Sequence, residues 1–94
     1  MSIYRITEFT SPDTAKAVEA MEPMRSELAT AGAQSIEIVS LGEGKGLVIA
    51  KYATQAIMET ATDVHKKAFG AMISSGHING DSISAQTGEV IFTL

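Results

Sequence analysis

The chain has 94 residues and a net charge of −4; 45% of its residues are apolar and 19% are charged. This composition predicts a folded domain, and the seven scattered Lys and Arg residues argue against nucleic acid and anionic membrane surfaces as partners. The absence of cysteine excludes disulfides, thiol nucleophiles and cysteine-ligated metals.

The first predicted strand covers residues 2 to 9, which are rich in β-branched and aromatic types and alternate in polarity. A helix should begin directly after this strand. Ser11 suits the N-cap, Pro12 suits the first helical position, and Asp13 suits the positive end of the helix dipole.

The first predicted helix continues through residues 15 to about 31, where apolar residues recur at spacings of three and four. Pro23 lies inside this pattern and removes a backbone N–H donor, so we expect a kink there. Gly32 should end the helix, because glycine readily takes the left-handed conformation that closes many helices.

Two further strands are predicted at residues 34 to 41 and 46 to 53, joined by the turn-forming residues 42 to 45 into an antiparallel hairpin. Thr54 should then cap a second helix whose apolar residues repeat at helical spacing. Gly76 should end that helix.

The final strand is predicted between residues 81 and 94, but Gln86-Thr87-Gly88 interrupts its pattern. We therefore expect either a bulge or a division into residues 82 to 85 and a main piece at 89 to 94. The order of elements predicts one α+β domain over residues 1 to 94, a ferredoxin-like βαββαβ sandwich with two helices on one face of a four-stranded antiparallel sheet.

Both faces of the predicted sheet carry apolar residues. Leu47 and Ile49 point away from Val48 and Ala50, so two helices on one face cannot cover them all. The simplest cover for the other face is a second copy related by a two-fold axis, and we therefore predict a homodimer through the sheet face. The alternative is a monomer that tolerates a moderately apolar sheet face.

Residues 47 to 59 run from a strand into a helix through an aromatic residue and a threonine cap, and Asn79-Gly80-Asp81 precedes the closing strand residues 88 to 92. In these features nearly the whole chain resembles the dimeric α/β-barrel superfamily, which includes antibiotic-biosynthesis and heme-degrading monooxygenases. The resemblance implies a dimer in which two sheets form a barrel, with ligands bound in a cleft between sheet and helices.

The chain has two histidines, and each has two interpretations. His65 flanks the apolar stripe of the second helix and could point into the cleft as a catalytic residue, or it could face solvent within the polar run 63 to 67. His77 follows the second helix, where it could meet the negative end of the dipole or bind a ligand. Heme-degrading members use a histidine near this position together with a tryptophan and an asparagine. This chain has no tryptophan, and its one asparagine is Asn79, so no heme or other cofactor is predicted.

Five other residues are candidates for a site. Tyr52 is a second catalytic candidate, and Tyr4 and Arg5 are candidates for ligand binding, although tyrosines more often anchor a sheet with the hydroxyl in solvent. Arg5 more often forms an ion pair at the rim of a dimer interface. Met21 and Met24 could line an adaptable apolar pocket or simply fill the core.

Two hypotheses on function follow. The first is a non-catalytic dimeric α/β-barrel protein that binds a small apolar molecule in the helix–sheet cleft, and the second is a cofactor-independent monooxygenase or related small-molecule enzyme. A regulatory ligand-sensing module is a third possibility.

The two histidines lie twelve residues apart, and this spacing predicts no metal site. The absence of a leader or a long apolar run predicts a cytoplasmic location.

Overall fold

The computed structural model describes residues 2 to 94 as a four-stranded antiparallel sheet with helices on one face. The strands are β1 (Ile3–Thr10), β2 (Ser35–Gly42), β3 (Lys45–Tyr52) and β4 (Ser84–Glu89), and the helices are α1 (Thr14–Met21), α2 (Arg25–Ala29) and α3 (Gln55–Ser74). The strands lie in the order β2-β3-β1-β4, and all three neighbouring pairs are antiparallel. The predicted ferredoxin-like βαββαβ fold is confirmed.

Strand β3 shows how the sequence places the core. Its even-numbered residues from Gly46 to Tyr52 are buried, while Leu47, Ile49 and Lys51 alternate with them and are only half-buried. Because successive side chains in a strand point to opposite faces, the buried set faces the helices. The core contains two packed groups on that side, one around Tyr52 and one around Phe9 and Met72.

No helix among residues 2 to 94 covers the other side of the sheet, which we call the open face. It carries Leu47 and Ile49 of β3, and Ile6 of β1 lies opposite Ile49 in the ladder. Val39 of β2 lies opposite Leu47. These apolar side chains form a patch that water contacts in a single copy, as the sequence predicts.

The start of the first helix differs from the prediction. Asp13, not Ser11, is the N-cap of α1, and its carboxylate accepts a hydrogen bond from the Lys16 backbone N–H at 3.2 Å. The Ser11 hydroxyl instead donates to the His77 carbonyl and accepts from the Asp13 N–H, so Pro12 lies before the helix. The Ser11 hydroxyl, predicted to cap the helix, therefore binds the segment after α3 instead.

The helix is interrupted at Pro23, where the sequence predicts a kink. Residues Glu22–Met24 form a 3₁₀ turn between α1 and α2, because Pro23 cannot donate the backbone bond that a continuous helix needs. Helix α2 ends at Ala29, and Gly32 follows in the left-handed region at φ +86°. A Cβ added to Gly32 would lie 2.8 Å from a methyl of Ile57, so both backbone and packing require glycine there.

The hairpin and the long helix match their predicted bounds closely. Thr54 caps α3 by accepting from the Ile57 N–H at 3.2 Å. At the other end, Gly76 has φ +80°, its N–H donates to the Ile73 carbonyl, and the His77 N–H donates to the Met72 carbonyl. This pair of bonds is the Schellman motif that a glycine after a helix predicts.

The predicted final strand is present, but its predicted interruption was wrong. Gln86, Thr87 and Gly88, expected to interrupt it, pair in register with Ile6, Arg5 and Tyr4. The β1 ladder thus outweighs the weak strand propensity of Gly88. Of the expected main piece, residues 89 to 94, Glu89 ends the strand and residues 90 to 94 lie outside it. Strand β1 begins at Ile3, opposite Glu89, and beyond that pair the Val90 N–H donates to the Ser2 carbonyl at 2.9 Å.

None of the helices within residues 2 to 94 is both long enough and apolar enough to cross a membrane. The cytoplasmic location and the single-domain boundary stay predictions.

Candidate functional site

A cleft of about 260 Å³ opens between the edge of the sheet at β2 and the broken helix α1–α2. Ile36 and Ile38 form its floor on the sheet side, and Val18, Met21 and Leu28 form its helical wall. Helix α2 has only five residues, and Ile38 of the floor and Val18 of the wall remain exposed. We call it the β2 cleft.

The mouth of the β2 cleft carries one ion pair. The Arg25 guanidinium lies 2.6 Å from a Glu22 carboxylate oxygen, and both side chains are largely exposed. This pairing holds the pKa of Glu22 below its usual value, through the Arg25 hydrogen bond first and its charge second. The two charges cancel, so the entrance is close to neutral.

A smaller recess of about 40 Å³ continues from the cleft toward α3 and shares Met21, Leu28, Ile36 and Ile38 with it. His65 lies in the wall of this recess together with Phe69 and Met72. The recess therefore connects an apolar cleft to one titratable side chain of the core.

His65 and Tyr52 form a buried pair. The Tyr52 hydroxyl and His65 Nε2 are 2.5 Å apart, and the two residues are 0% and 6% exposed. Their rings meet edge-on, with centroids 6.1 Å apart. The interpretations that placed His65 and the Tyr52 hydroxyl in solvent were therefore wrong. Tyr52 is the last residue of β3, and the His65 side chain of α3 faces it across the helix–sheet interface.

Burial favours the neutral form of both partners. It lowers the pKa of His65, and the nearby positive charge of Arg5 lowers it further. Burial raises the pKa of Tyr52, and Arg5 opposes this shift in part. At neutral pH the pair is an uncharged imidazole and an uncharged phenol that share one hydrogen bond.

Arg5 does not reach the rim of the open face. It belongs to the helix-facing set of β1, and its guanidinium donates to the Thr62 hydroxyl at 2.8 Å. The expectation of a rim ion pair at a dimer interface was wrong, since the alternation of β1 directs this side chain under α3. Arg5 instead supplies the positive charge that acts on the Tyr52–His65 pair.

Acidification is expected to destabilise the fold through His65. The pKa of His65 is lowered on folding, so the unfolded chain binds more protons between the folded pKa and about 6.5. The stabilisation is therefore present above pH 6.5 and is lost as the pH falls through the folded pKa. Urea unfolding at pH 7.5 and 5.5 measures this loss, and a His65→Gln variant should reduce it. An equal loss in that variant would contradict the assignment.

The other candidate residues lie in different places. Met21 lines the cleft, whereas Met24 is half-buried against the core group around Phe9. Tyr4 lies on the open face with the Lys51 ammonium 6.0 Å from its ring centroid, away from the cleft. His77 contributes its backbone to the end of α3 and to the Ser11 contact. Their roles in ligand binding stay predictions.

Sequence reasoning missed most of the cleft. Leu28, Ile36 and Ile38 were assigned to helix and strand patterns, but no pattern indicated that they border open space. Thr62 was also missed, because a threonine in a polar stretch of helix gives no sign that its hydroxyl meets an arginine from β1. Pro23 was the one available signal, since an interrupted helix covers less of a sheet.

Within residues 2 to 94, no cluster of three or more His, Asp or Glu residues is placed to hold a metal ion.

Comparison with solved structures finds similar folds over almost the full chain. A variant of SnoaB, a cofactor-independent oxygenase from Streptomyces nogalater, superposes with a TM-score of 0.78 at 11% identity, covering 99% of this chain and 96% of that one. A dimeric ferredoxin-like protein from an uncultured marine organism gives 0.72 at 12% identity, with 100% and 98% covered. The chain has their fold.

A third similar structure contains a ligand. It is a monooxygenase from Streptomyces coelicolor in complex with nanaomycin D, with a TM-score of 0.73, 11% identity and coverage of 99% and 90%. Neither the protein-family models nor the curated proteins give a match in sequence. These structures therefore confirm the predicted ferredoxin-like fold, which functionally different proteins share.

Proposed function

We propose that this protein is a homodimer that binds a small, neutral, apolar molecule in the β2 cleft. The observation that carries the proposal is the cleft itself, an apolar hollow of about 260 Å³ that reaches one buried hydrogen-bonding pair. Binding sites for small molecules have this character, being mostly apolar with a few polar groups that fix orientation.

The charges around the cleft support a neutral ligand. Glu22 and Arg25 at the mouth neutralise each other, and the Tyr52–His65 pair behind the recess is uncharged at neutral pH. A charged ligand would lose its hydration without gaining an unpaired partner of opposite charge among these residues. An apolar molecule instead gains about 25 cal/mol for each Å² of surface that it removes from water.

The open face supports the homodimer. Ile6, Val39, Leu47 and Ile49 form a continuous apolar patch, and a two-fold related copy would bury the same patch on both chains. One of the similar structures is described as dimeric. The symmetric arrangement needs no further partner.

Filling the cleft is expected to block binding. An Ala33→Phe substitution places a large side chain in the wall beside Ile36 and should weaken the affinity for a neutral dye such as Nile red at least tenfold. Ala71→Phe is the matched control, since Ala71 lies on the exposed surface of α3. Fluorescence titration measures the affinities, and mass spectrometry of the purified protein identifies any natural ligand. Equal dye affinity in both variants would refute this location.

The buried pair favours a second candidate function, cofactor-independent oxygenation. His65 is neutral, hydrogen-bonded and adjacent to the cleft, so it has the chemistry of a general base that takes a proton from a bound molecule. Two of the similar structures are oxygenases. Oxygen uptake with the co-purified molecule separates the candidates: uptake with conversion of that molecule supports the enzyme, and binding without uptake supports the binding protein.

A further inference from the structure

His65 keeps one ring nitrogen free. Its Nε2 shares a hydrogen bond with the Tyr52 hydroxyl, and this is the one hydrogen bond that the side chain forms with residues 2 to 94. No fully buried side-chain nitrogen or oxygen of those residues lacks a partner, so the unpaired Nδ1 must border open space. His65 lies in the wall of the recess and is only 6% exposed. A side chain of the core therefore presents an unpaired polar atom to the recess.

The Tyr52 hydroxyl decides which ring nitrogen of His65 carries the proton. A neutral imidazole has one N–H, and the hydroxyl has one O–H. If Nε2–H donated to the tyrosine oxygen, the O–H would be left without an acceptor at a residue that is 0% exposed. If the hydroxyl donates to Nε2 instead, that donor is paired and the imidazole proton lies on Nδ1. Hydrogen-bond pairing in the core thus favours the Nδ1–H tautomer.

The rest of the recess wall is apolar. Every other side chain that lines it is apolar, including Met21 and Leu28 on one side and Phe69 and Met72 of α3 on the other. A ligand hydroxyl in the recess could accept from Nδ1–H, but its own proton would find no acceptor among these side chains. A carbonyl oxygen accepts without donating, so it avoids this cost. A volume of about 40 Å³ also admits only a small group of this kind.

We propose that the Nδ1–H of His65 donates a hydrogen bond to a carbonyl oxygen of the ligand, and that Tyr52 holds His65 in the tautomer that allows this bond. The inference rests on the proposed binding of a neutral, apolar molecule in the β2 cleft. The apolar body of the ligand lies against Ile36 and Ile38, and its carbonyl group enters the recess. The ligand class is then a neutral carbonyl compound, such as a ketone or an ester.

The opposite tautomer would give the site a different chemistry. With the proton on Nε2, Nδ1 would present a lone pair to the recess, and His65 could act there as the general base of the second candidate function. The binding protein and the oxygenase therefore differ in the position of one proton on the His65 ring.

Nitrogen-15 NMR of the imidazole rings tests the tautomer without any ligand. The chain has two histidines, and a His77→Gln variant identifies the His65 signals. At neutral pH the protonated nitrogen should be Nδ1. Tyr52→Phe should give a mixture of both tautomers, whereas Tyr4→Phe, which removes a hydroxyl from the open face, should leave the His65 signals unchanged. A wild-type protein with the proton on Nε2 would overturn the inference and favour the second candidate function.

The bond to the ligand is tested with two neutral probes of nearly the same shape, acetylnaphthalene and isopropenylnaphthalene. They differ in that the carbonyl oxygen of the first is a methylene group in the second, and displacement of Nile red measures both affinities. The ratio of ketone affinity to alkene affinity should be about tenfold higher in the wild type than in His65→Leu, as expected for one buried hydrogen bond. Tyr52→Phe keeps the imidazole and should lower the same ratio, so the comparison stands even if His65→Leu does not fold.

The outcomes separate this inference from the proposed function. Equal ratios in the wild type and in both variants would overturn the bond to the ligand, although the cleft would still bind apolar molecules. If neither probe displaces the dye, or if Ala33→Phe binds the dye as tightly as the wild type, the proposed binding site fails and the bond to the ligand fails with it.

Discussion

Replacing Ile49 with aspartate is expected to convert the dimer into a monomer. Ile49 lies in the middle of the open face, opposite Ile6, and in a two-fold dimer each copy would bury one new carboxylate against apolar side chains. Leu47→Asp should act in the same way. The dimer affinity should fall by on the order of 100-fold or more, which corresponds to about 2.7 kcal/mol. Light scattering at micromolar concentration measures the change from twice the 9.9 kDa chain mass to one.

The control for this prediction is Ala71→Asp, which adds the same charge on the exposed side of α3. It should leave the dimer intact. If the wild-type protein is monomeric at micromolar concentration, or if Ile49→Asp remains a dimer, the open face is not the interface.

Breaking the buried pair is expected to produce the second large effect. A Tyr52→Phe substitution leaves His65 Nε2 buried without its partner, which costs about 1–3 kcal/mol of unfolding free energy. A His65→Leu substitution similarly isolates the Tyr52 hydroxyl. The double variant removes both polar groups, so its cost should be smaller than the sum of the two single costs by about 0.5–3 kcal/mol. Urea unfolding of the four proteins measures this coupling.

Tyr4→Phe provides the matched control for Tyr52→Phe. It removes the same hydroxyl from the same β-sheet, but Tyr4 is only half-buried on the open face, and the change should stay within about 0.5 kcal/mol. Additive costs for Tyr52 and His65 would mean that their contact contributes nothing to the fold.

The pair also shows the limit of reasoning from the sequence at the site. The helical spacing placed His65 beside the apolar stripe of α3, whereas the polar run around it indicated a side chain in solvent. Only the packing of α3 against the end of β3 decides between these orientations, since it buries Tyr52 and directs its hydroxyl at the imidazole. Arg5 was misplaced for a related reason: its strand was identified, but the neighbour that receives its side chain comes from 57 residues further along the chain.

The sequence by itself determined the order of the elements, the capped start of α3, the break at Pro23 and the two apolar faces of the sheet. These features depend on side-chain period and local backbone chemistry, which neighbouring residues specify. The tertiary structure alone decided that β4 runs through Gln86 to Gly88, that residues 90 to 94 lie outside the strand, and that a cleft opens at β2. Each of these depends on the relative lengths and positions of distant elements: β4 ends where β1 begins, and the cleft is the space that a shortened helix fails to cover.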